Sequence, residues 1–555
     1  MVTHPDDLHE ELQNRKIYHS DRDKNFEKWS NLYNQEVDCK SPEEGVQFVP
    51  PDARREVEKG ASQIATGVSI MSVYPDVSED DKAIGKKLRI AYDLSAKRSW
   101  QYNRVDVDRV ISFFLSLFGI GVRKGPFFRQ DFADKGMFPI VSSPVDPSNF
   151  YPSADGNSVV VVYEKPVSVI KREIEQWNAN ATGGDKRRKK PYNTDWFGLN
   201  DFSDERQNIQ WIEYYTAEKR CFAIARGSVQ VPILDMQPNV LEYLPFHWAF
   251  SGKQRGADGP PEEACVGVLA GMEEAIENLA RTYTAMAYHV RLRAYGREAV
   301  ASDARDDYNQ KVSPGDQFVV DRDNMPSEGG IEPIPEINMN SDMYPFLGQL
   351  SNYVQQLGGP QAVMGDMAAG ESGQARLAQV RQASQHYRPM REAKCVINSE
   401  YGTCMSKLIR NKKVVTEPIH LIGNETISGA NISKYTYMEE TLAPKEPSEM
   451  QEEREQDLRA LERGAMTLQM YADRADYDNK ETILSDIMAE KLLLNSPEIQ
   501  QAFAMRTIES WGMQDVIDAL TQQQQHGQNA ASSTQTIDPR EMGRAAGPAG
   551  EMPVG

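Results

Sequence analysis

Apolar positions recur every third or fourth residue in several long stretches of this chain, and they run together or alternate in the stretches between. From Asp81 to Leu117, Ala83, Leu88, Ile90, Ala91, Leu94, Val105, Val107, Val110, Ile111, Phe114 and Leu117 predict one long helix, closed by Gly119 and Gly121. Pro260 to Arg293 predicts a second. Pro261 suits its first turn, Glu262 and Glu263 complement the positive start, and Arg291 and Arg293 complement the end. Val268, Met272, Ala275, Leu279, Thr282, Met286 and Val290 form its stripe, and Gly296 closes it. Ser341 to Leu357 is a shorter helix. Gln374 to Asn411 holds a stripe from Leu377 through Tyr387, Ile397 and Tyr401 to Leu408, with Pro389 placed to kink it. Residues from Ser448 to about Leu520 read as helical, with breaks near Gly464 and at Ser496-Pro497.

Between these lie strand and turn textures. Phe127 to Val167 is rich in turn residues and holds the β-branched strand SVVVVYEKPV, closed by Pro166. Ser168 is placed as N-cap of a short helix to Trp177. Strands follow at Ile209–Tyr215, Arg220–Arg226 and Val229–Leu234, and Val414 to Tyr437 also reads as strands. Arg297 to Asn338 is a compact β insert, with a strand at Asp316–Asp321 after the Ser313-Pro314-Gly315 turn. A helix, a small β excursion and a returning helix predict two antiparallel helices with the insert at their far end. Residues 1–50 are charged, with Trp29, Tyr33 and Phe48 as anchors, and read as an arm that docks on something else. Gly358, Gly359, Gly365, Gly370 and Gly373 make a Gly-rich joint between two helical patterns. Gln522 to Gly555 is low-complexity and expected to be disordered.

Composition narrows the classes. At 555 residues the chain exceeds a single core. A net charge of −20 disfavours tight wrapping of nucleic acid, which needs Lys and Arg to neutralise phosphate, yet suits a wall along which DNA slides. Cys39, Cys221, Cys265, Cys395 and Cys404 are odd in number and lack CxxC spacing, so neither a disulfide framework nor a zinc site is expected. Cys395 and Cys404 fall on a helical stripe as core residues. MVTHPDDLHEEL is not a secretory signal, and the longest apolar run, Ile111 to Val122, is well short of the roughly 20 residues of a membrane span. It reads as the buried end of a helix.

Catalytic patterns fail one after another. Ser251-Gly252-Lys253-Gln254 lacks the glycine and hydroxyl of a phosphate loop. Gly119, Gly121 and Gly125 end a helix where a dinucleotide fingerprint would open one. Gly370-Glu371-Ser372-Gly373 lacks the spacing and preceding strand of a nucleophile elbow, and Ser372 reads instead as a helix cap. Asp321 and Asp323 begin like a calcium loop that Met325 breaks. Asp76 to Asp81 reads as a solvated helix start. The eight histidines are scattered, so His289 and His386 read as packing residues. The basic run Gly183 to Pro191 has no aromatic platform and reads as a solvated loop before a nucleic-acid contact. No catalytic residues, metal site or cofactor are expected.

The order of elements, with VDPSNFYPSADGNSVVVVYEK (145–165), LPFHWAFSGKQRGADGPPEEACVGVLAGMEEAIENLARTYTAMAYH (244–289) and VMGDMAAGESGQARLAQVRQAS (363–384), resembles the portal proteins of tailed double-stranded-DNA bacteriophages over roughly residues 50 to 440. The resemblance implies an α+β portal fold assembled as a ring. Its parts would be an N-terminal arm (1–50), a wing in two pieces (51–259 and 374–444) and an antiparallel helical stem (260–295 and 341–357). A small β-rich clip (296–340), a tunnel loop (358–373), a helical crown (445–520) and a disordered tail (521–555) complete it.

The same resemblance implies that Gln361, Met364, Gly365, Asp366, Met367, Gly370, Glu371, Ser372 and Gly373 face DNA. It implies that Arg297, Arg305, Asp306, Asp307, Lys311 and Asp316 dock the packaging motor and then the adaptor. The partners it implies are other copies of the chain in a dodecamer, the DNA in the channel, the terminase large subunit, the major capsid and scaffolding proteins, and the head-completion and tail proteins, with no membrane. The place would be the portal vertex of the virion, and the host cytoplasm during assembly. The alternatives are another head–tail adaptor, an internal virion protein, or a DNA-packaging enzyme, which the missing phosphate loop disfavours.

Overall fold

A computed structural model describes residues 7–39, 47–67, 69–182, 191–226, 229–252, 260–295, 298–301, 317–320, 331–333, 343–357, 385–422 and 425–442, with three single positions near 460. The chain divides into two units, Met1–Pro447 and Ser448–Gly555, and every element named here belongs to the first. The order opens with α1 (Leu8–Tyr18), α2 (Ser20–Tyr33), α3 (Asp52–Ala65), β1 (Ser69–Tyr74), α4 (Glu79–Asn103), α5 (Val107–Phe118), β2 (Ile120–Phe128), α6 (Gln130–Ala133) and β3 (Ile140–Pro144). It continues with β4 (Phe150–Pro152), β5 (Ser158–Pro166), α7 (Val167–Thr182), β6 (Asn208–Thr216), β7 (Lys219–Arg226), β8 (Val229–Pro238) and β9 (Phe246–Phe250). It ends with α8 (Pro261–Ala264), α9 (Glu273–Tyr295), β10 (Glu298–Ala301), β11 (Gln317–Val320), β12 (Ile331–Pro333), α10 (Met343–Leu357), α11 (Arg388–Arg410), β13 (Ile419–His420), β14 (Thr426–Ile427) and β15 (Tyr437–Leu442). This is the α+β class expected, with sheets almost wholly antiparallel.

Two sheets form the centre. One has the order β3–β2–β9 and the other β4–β5–β6–β7–β8. Successive side chains of a strand point to opposite faces. On β2, a side chain at Gly121 would collide with Ile111, Leu115 and Ile397, so this face lies against α5 and α11. Val122 on the other face shares a core with Phe150, Val159 and Val161 of the second sheet. That second sheet is apolar on both faces, which explains why β5 reads as an unbroken valine run. Val159 and Val161 join Trp211, Tyr215 and Phe222 in the main core. Val160 and Val162 face the other way, with Tyr151, Ile212, Tyr214 and Cys221, and Leu8 and Leu12 of α1 pack on them.

The N-terminal arm therefore docks on the body of its own chain, where the sequence pointed to something else. Phe26, Trp29 and Leu32 of α2 enter the main core. The Trp29 indole donates to Glu273 Oε1 at 2.8 Å. Arg15 donates to the Tyr151 carbonyl at 2.8 Å and Arg22 to that of Phe150 at 2.9 Å. The His19 Nε2 meets the Pro152 carbonyl at 3.0 Å.

Other expectations need correction. The stretch Asp81–Leu117 is two helices. Arg104 takes a left-handed conformation (φ 62°), and Asp106 then caps α5 by accepting from the backbone N–H of Asp108 and Arg109. Ile111–Val122 spans the end of α5, the left-handed Gly119 (φ 70°) and the start of β2, so Gly121 lies within a strand. The stretch Pro260–Arg293 is the short α8, an irregular segment and α9. Residues 265–268 lie against the end of α5, with Val268 N–H donating to Ser116 O at 2.7 Å. A side chain at Gly267 would overlap the Leu117 carbonyl, so the close approach requires glycine there. Helix α7 begins at Val167, so Ser168 sits inside it; its N–H bonds to the Glu205 carbonyl. Residues 385–386 are helical, the helix breaks at Tyr387, and Pro389 lies in the first turn of α11, while residues 374–384 of the expected long helix lie outside the described residues. In the 414–437 stretch, the described residues form the two short strands β13 and β14, and β15 starts where that stretch was expected to end.

The remaining patterns hold within a few residues. β5 to β8, β11 and α10 lie where expected, and Ser78 caps α4 in a reciprocal pair with Asp81. All five cysteines are buried and free. β1 and β15 pair antiparallel from Ser69↔Leu442 to Tyr74↔Tyr437.

Burial, reinforced by Arg22, lowers the His19 pKa from 6.5 to about 4, so its imidazole is neutral at pH 7. In the released arm it would protonate near pH 6.5. The hold on the arm is thus complete above that value and falls away as pH drops from about 6.5 toward 4, by on the order of 3 kcal/mol. Hydrogen-exchange protection factors of residues 8–33, corrected for the intrinsic pH dependence of amide exchange, are expected to fall between pH 7 and pH 4.5, and His19→Gln to flatten that response. An unchanged response in the variant contradicts this assignment.

Candidate functional site

The expected site spans two helices, the insert between them and the segment that follows. α9 is rooted in the main core through Ala275, Ile276, Leu279 and Ala280. The N-terminal region clasps its first half. Besides Trp29 on Glu273, Lys28 lies 3.7 Å from Glu277, the Phe48 N–H donates to Thr284 Oγ1 at 3.0 Å, and the Phe48 and Tyr283 rings are 5.4 Å apart. α10 packs against α9. Its Val354 is buried in the same core as Ala275 and Ile276, and Leu347 and Leu350 pack against that core. Tyr344, Phe346 and Tyr353 stay exposed on α10, as does Val290 on α9.

Between the two helices, β10 pairs with β11 in parallel and with β12 antiparallel. Among the described residues, the expected small β insert holds three strands in one sheet, in the order β11–β10–β12. Its expected docking residues, Arg297, Arg305, Asp306, Asp307, Lys311 and Asp316, lie outside the described residues. So do the expected loop residues Gln361, Met364, Gly365, Asp366, Met367, Gly370, Glu371, Ser372 and Gly373, the basic run 183–190, most of the crown and the tail. What is described is the mounting of the loop. α10 ends at Leu357, and α11 begins at Arg388 with Met390, Ala393, Ile397, Tyr401, Cys404 and Leu408 buried. Arg391 ties its first turn to the Gln63 carbonyl at 3.1 Å.

Two buried charge clusters flank β2, and neither is among the expected site residues. The signal was there: Arg123-Lys124 in the middle of an apolar strand places one cation on each face. The Arg123 guanidinium donates to Asp108 at 3.2 Å, to Asn398 Oδ1 at 2.8 Å and to Ser142 Oγ at 3.1 Å, and lies 3.8 Å over the Tyr401 ring. Burial alone would lower its pKa; the Asp108 carboxylate and the Tyr92 and Tyr401 hydroxyls outweigh that, so it stays charged. Lys124, on the opposite face, donates to Glu213 Oε2 at 2.6 Å and to the Tyr163 hydroxyl at 3.3 Å. Its pKa is likewise raised, by Glu213 against burial. Both cations are held inside the protein by several hydrogen bonds each, with Arg123 Nη2 buried and without a hydrogen-bond partner, so each cluster fastens layers together.

Elsewhere the chemistry is sparse. Among the described residues no three His, Cys, Asp or Glu side chains stand together as a metal site. His247 Nε2 donates to the Gly125 carbonyl at 2.8 Å, and its Nδ1 lies 3.6 Å from Glu400 Oε2. The thiols of Cys221, Cys265, Cys395 and Cys404 are pushed up to about 12 by burial. No described helix is long and apolar enough to cross a membrane.

No family model matches the chain. No curated protein matches it either. Among solved structures the chain is similar to one from the neck of an empty GTA particle computed with C6 symmetry, at 13% identity and a TM-score of 0.31, covering 78% of this chain and 89% of that one. A score of that size supports no argument about this chain.

Removing Arg123 leaves Asp108 and Asn398 facing an empty, uncharged space. Arg123→Ala is expected to cost about 3–5 kcal/mol in urea unfolding. Asp108→Asn keeps the shape but leaves the fully buried Arg123 charge without its counter-ion, and is expected to cost a comparable amount. Wild-type stability in Asp108→Asn would contradict the pairing described.

Proposed function

We propose that this chain is the subunit of a portal ring, the channel at one capsid vertex of a tailed double-stranded-DNA phage, and that it works without catalysis or cofactor. One observation carries the reading. Two packed helices, α9 and α10, are rooted in the wing, separated by a three-stranded sheet, and expose Val290, Tyr344, Phe346 and Tyr353. A helix pair with its inner face spent on the chain's own core and an aromatic outer face fits repeated lateral packing around a ring. The Gly-rich segment 358–373 follows directly, between the end of α10 and the rigidly held α11, as a DNA-facing loop would require.

On this reading the three-stranded sheet is the docking end for the terminase large subunit and then for head-completion and tail proteins. Capsid and scaffolding proteins meet the wing. An acidic subunit repeated around a channel repels phosphate and keeps DNA from sticking. The buried network at Arg123 and the scattered histidines are consistent with a structural part.

Two tests follow. Purified protein imaged in negative stain is expected to show rings with a central hole, and Tyr344→Asp with Phe346→Asp to give folded single chains; wild-type monomers or filaments would sink the proposal. Deleting Gly365 to Gly373 is expected to leave rings intact and to impair DNA packaging or retention, whereas normal packaging by that variant would remove the loop from the mechanism.

A further inference from the structure

Helix α4 is a bar whose two ends carry opposite charge and exposed apolar groups. Its 25 residues span about 37 Å. At the C-terminal end Trp100 is 57% exposed, and Tyr102 and Val105 are exposed beside it. Tyr102 meets the Phe132 ring edge-on at 6.3 Å, and the Arg98 and Arg129 guanidinium groups lie over these rings at 5.7 and 5.1 Å. Arg129 is paired with Asp131. Among the described residues no carboxylate stands within ion-pair distance of Arg98 or Arg104. Arg104 keeps its left-handed conformation at the exposed tip, where glycine would fit without strain.

The N-terminal end is the complement. Val77 is 86% exposed, between Asp76 and the acidic first turn Glu79, Asp80 and Asp81. The stacked rings of Tyr74 and Tyr437, 4.9 Å apart, are partly exposed next to it. Asp81 is used by the Ser78 cap and Glu79 by Lys82. Asp76 and Asp80 have no ion-pair partner among the described residues.

We propose that these ends are the two halves of one interface between copies of this chain: the acidic Val77 end of one copy docks on the Trp100–Tyr102–Arg104 end of the next. Tryptophan, tyrosine and arginine are the residues that dominate binding energy at interfaces, and both ends leave such surface bare. Opposite charges fix which end meets which and exclude like ends. A bar with unlike ends makes a heterologous contact, which closes into a ring or runs on as a filament. The proposal rests on the ring reading only for that closure.

The test uses cross-linking of full-length chains. One tagged preparation carries Val77→Cys and an untagged one carries Val105→Cys. Both positions are exposed, whereas all five native thiols are buried, Cys39 included, and burial holds the other four near 12, so they react poorly with maleimide. After mixing, a short bismaleimide is expected to join one tagged to one untagged chain. Neither preparation alone should give cross-linked pairs, because the two ends of one helix are too far apart and like ends do not meet. Adding Arg104→Glu to the Val105→Cys chain should lower the yield about tenfold, and Asp80→Arg on the tagged chain should restore it. Pairs formed within the Val105→Cys preparation alone overturn the proposal. So does an absence of cross-links in material whose native mass is that of many chains; that result leaves the ring reading standing. Absence of cross-links with single-chain mass at every concentration overturns both.

Discussion

The first unit is organised around a strand that must bury a positive charge on each face. Arg123 and Lys124 are neighbours on β2, so they point into different layers. Asp108 and Asn398 on the helical side and Glu213 and Tyr163 on the sheet side receive them. A one-residue slip of β2 would turn Arg123 under the five-stranded sheet and Lys124 toward Asp108, with donors and acceptors unmatched. An unpaired buried ion is far more costly than a lost apolar contact. The pairings of β2 with β3 and β9, the seat of α5 and α11, and the position of the second sheet are therefore specified together, by polar groups that add little net stability but penalise every alternative.

What the sequence revealed follows from how local each determinant is. β5 to β8 were legible because β-branched runs bounded by Pro, Asn and Asp need no distant partner to be recognised. α10 was legible from a single stripe. The breaks inside two expected helices were not. One depends on Arg104 taking a left-handed turn before an Asp106 cap, a cue overridden by the apolar stripe around it. The other depends on Gly267 sliding against the Leu117 carbonyl, a contact across 150 residues. The arm was legible as an anchor but not as a clasp for its own chain, because Trp29 carries no sign of its partner Glu273. The residues expected to face DNA or to dock a motor sit in Gly- and Asp-rich segments outside the described residues, where sequence alone speaks.

The functional proposal and the interface proposal draw on different surfaces. The first uses the outward faces of α9 and α10, the second the two ends of α4. Together they describe a subunit in which, among the described residues, the buried charge clusters and thiols are committed to the interior, while exposed aromatic and arginine residues gather at a few places. In an acidic chain, that distribution would concentrate attachment between copies at those places and leave the remaining surface repulsive to polyanions.

The pairing of β1 with β15 sets a schedule for the making of the protein. Ser69 pairs with Leu442, so the first described strand to leave the ribosome waits for the last described one. Trp29 likewise waits for Glu273, 244 residues later. Such contacts are slow to form because a long loop must close before anything rewards it. The unit becomes complete only at the end of its synthesis, and until then the growing chain carries an open strand edge and uncovered core that a cell must shield from association with its neighbours.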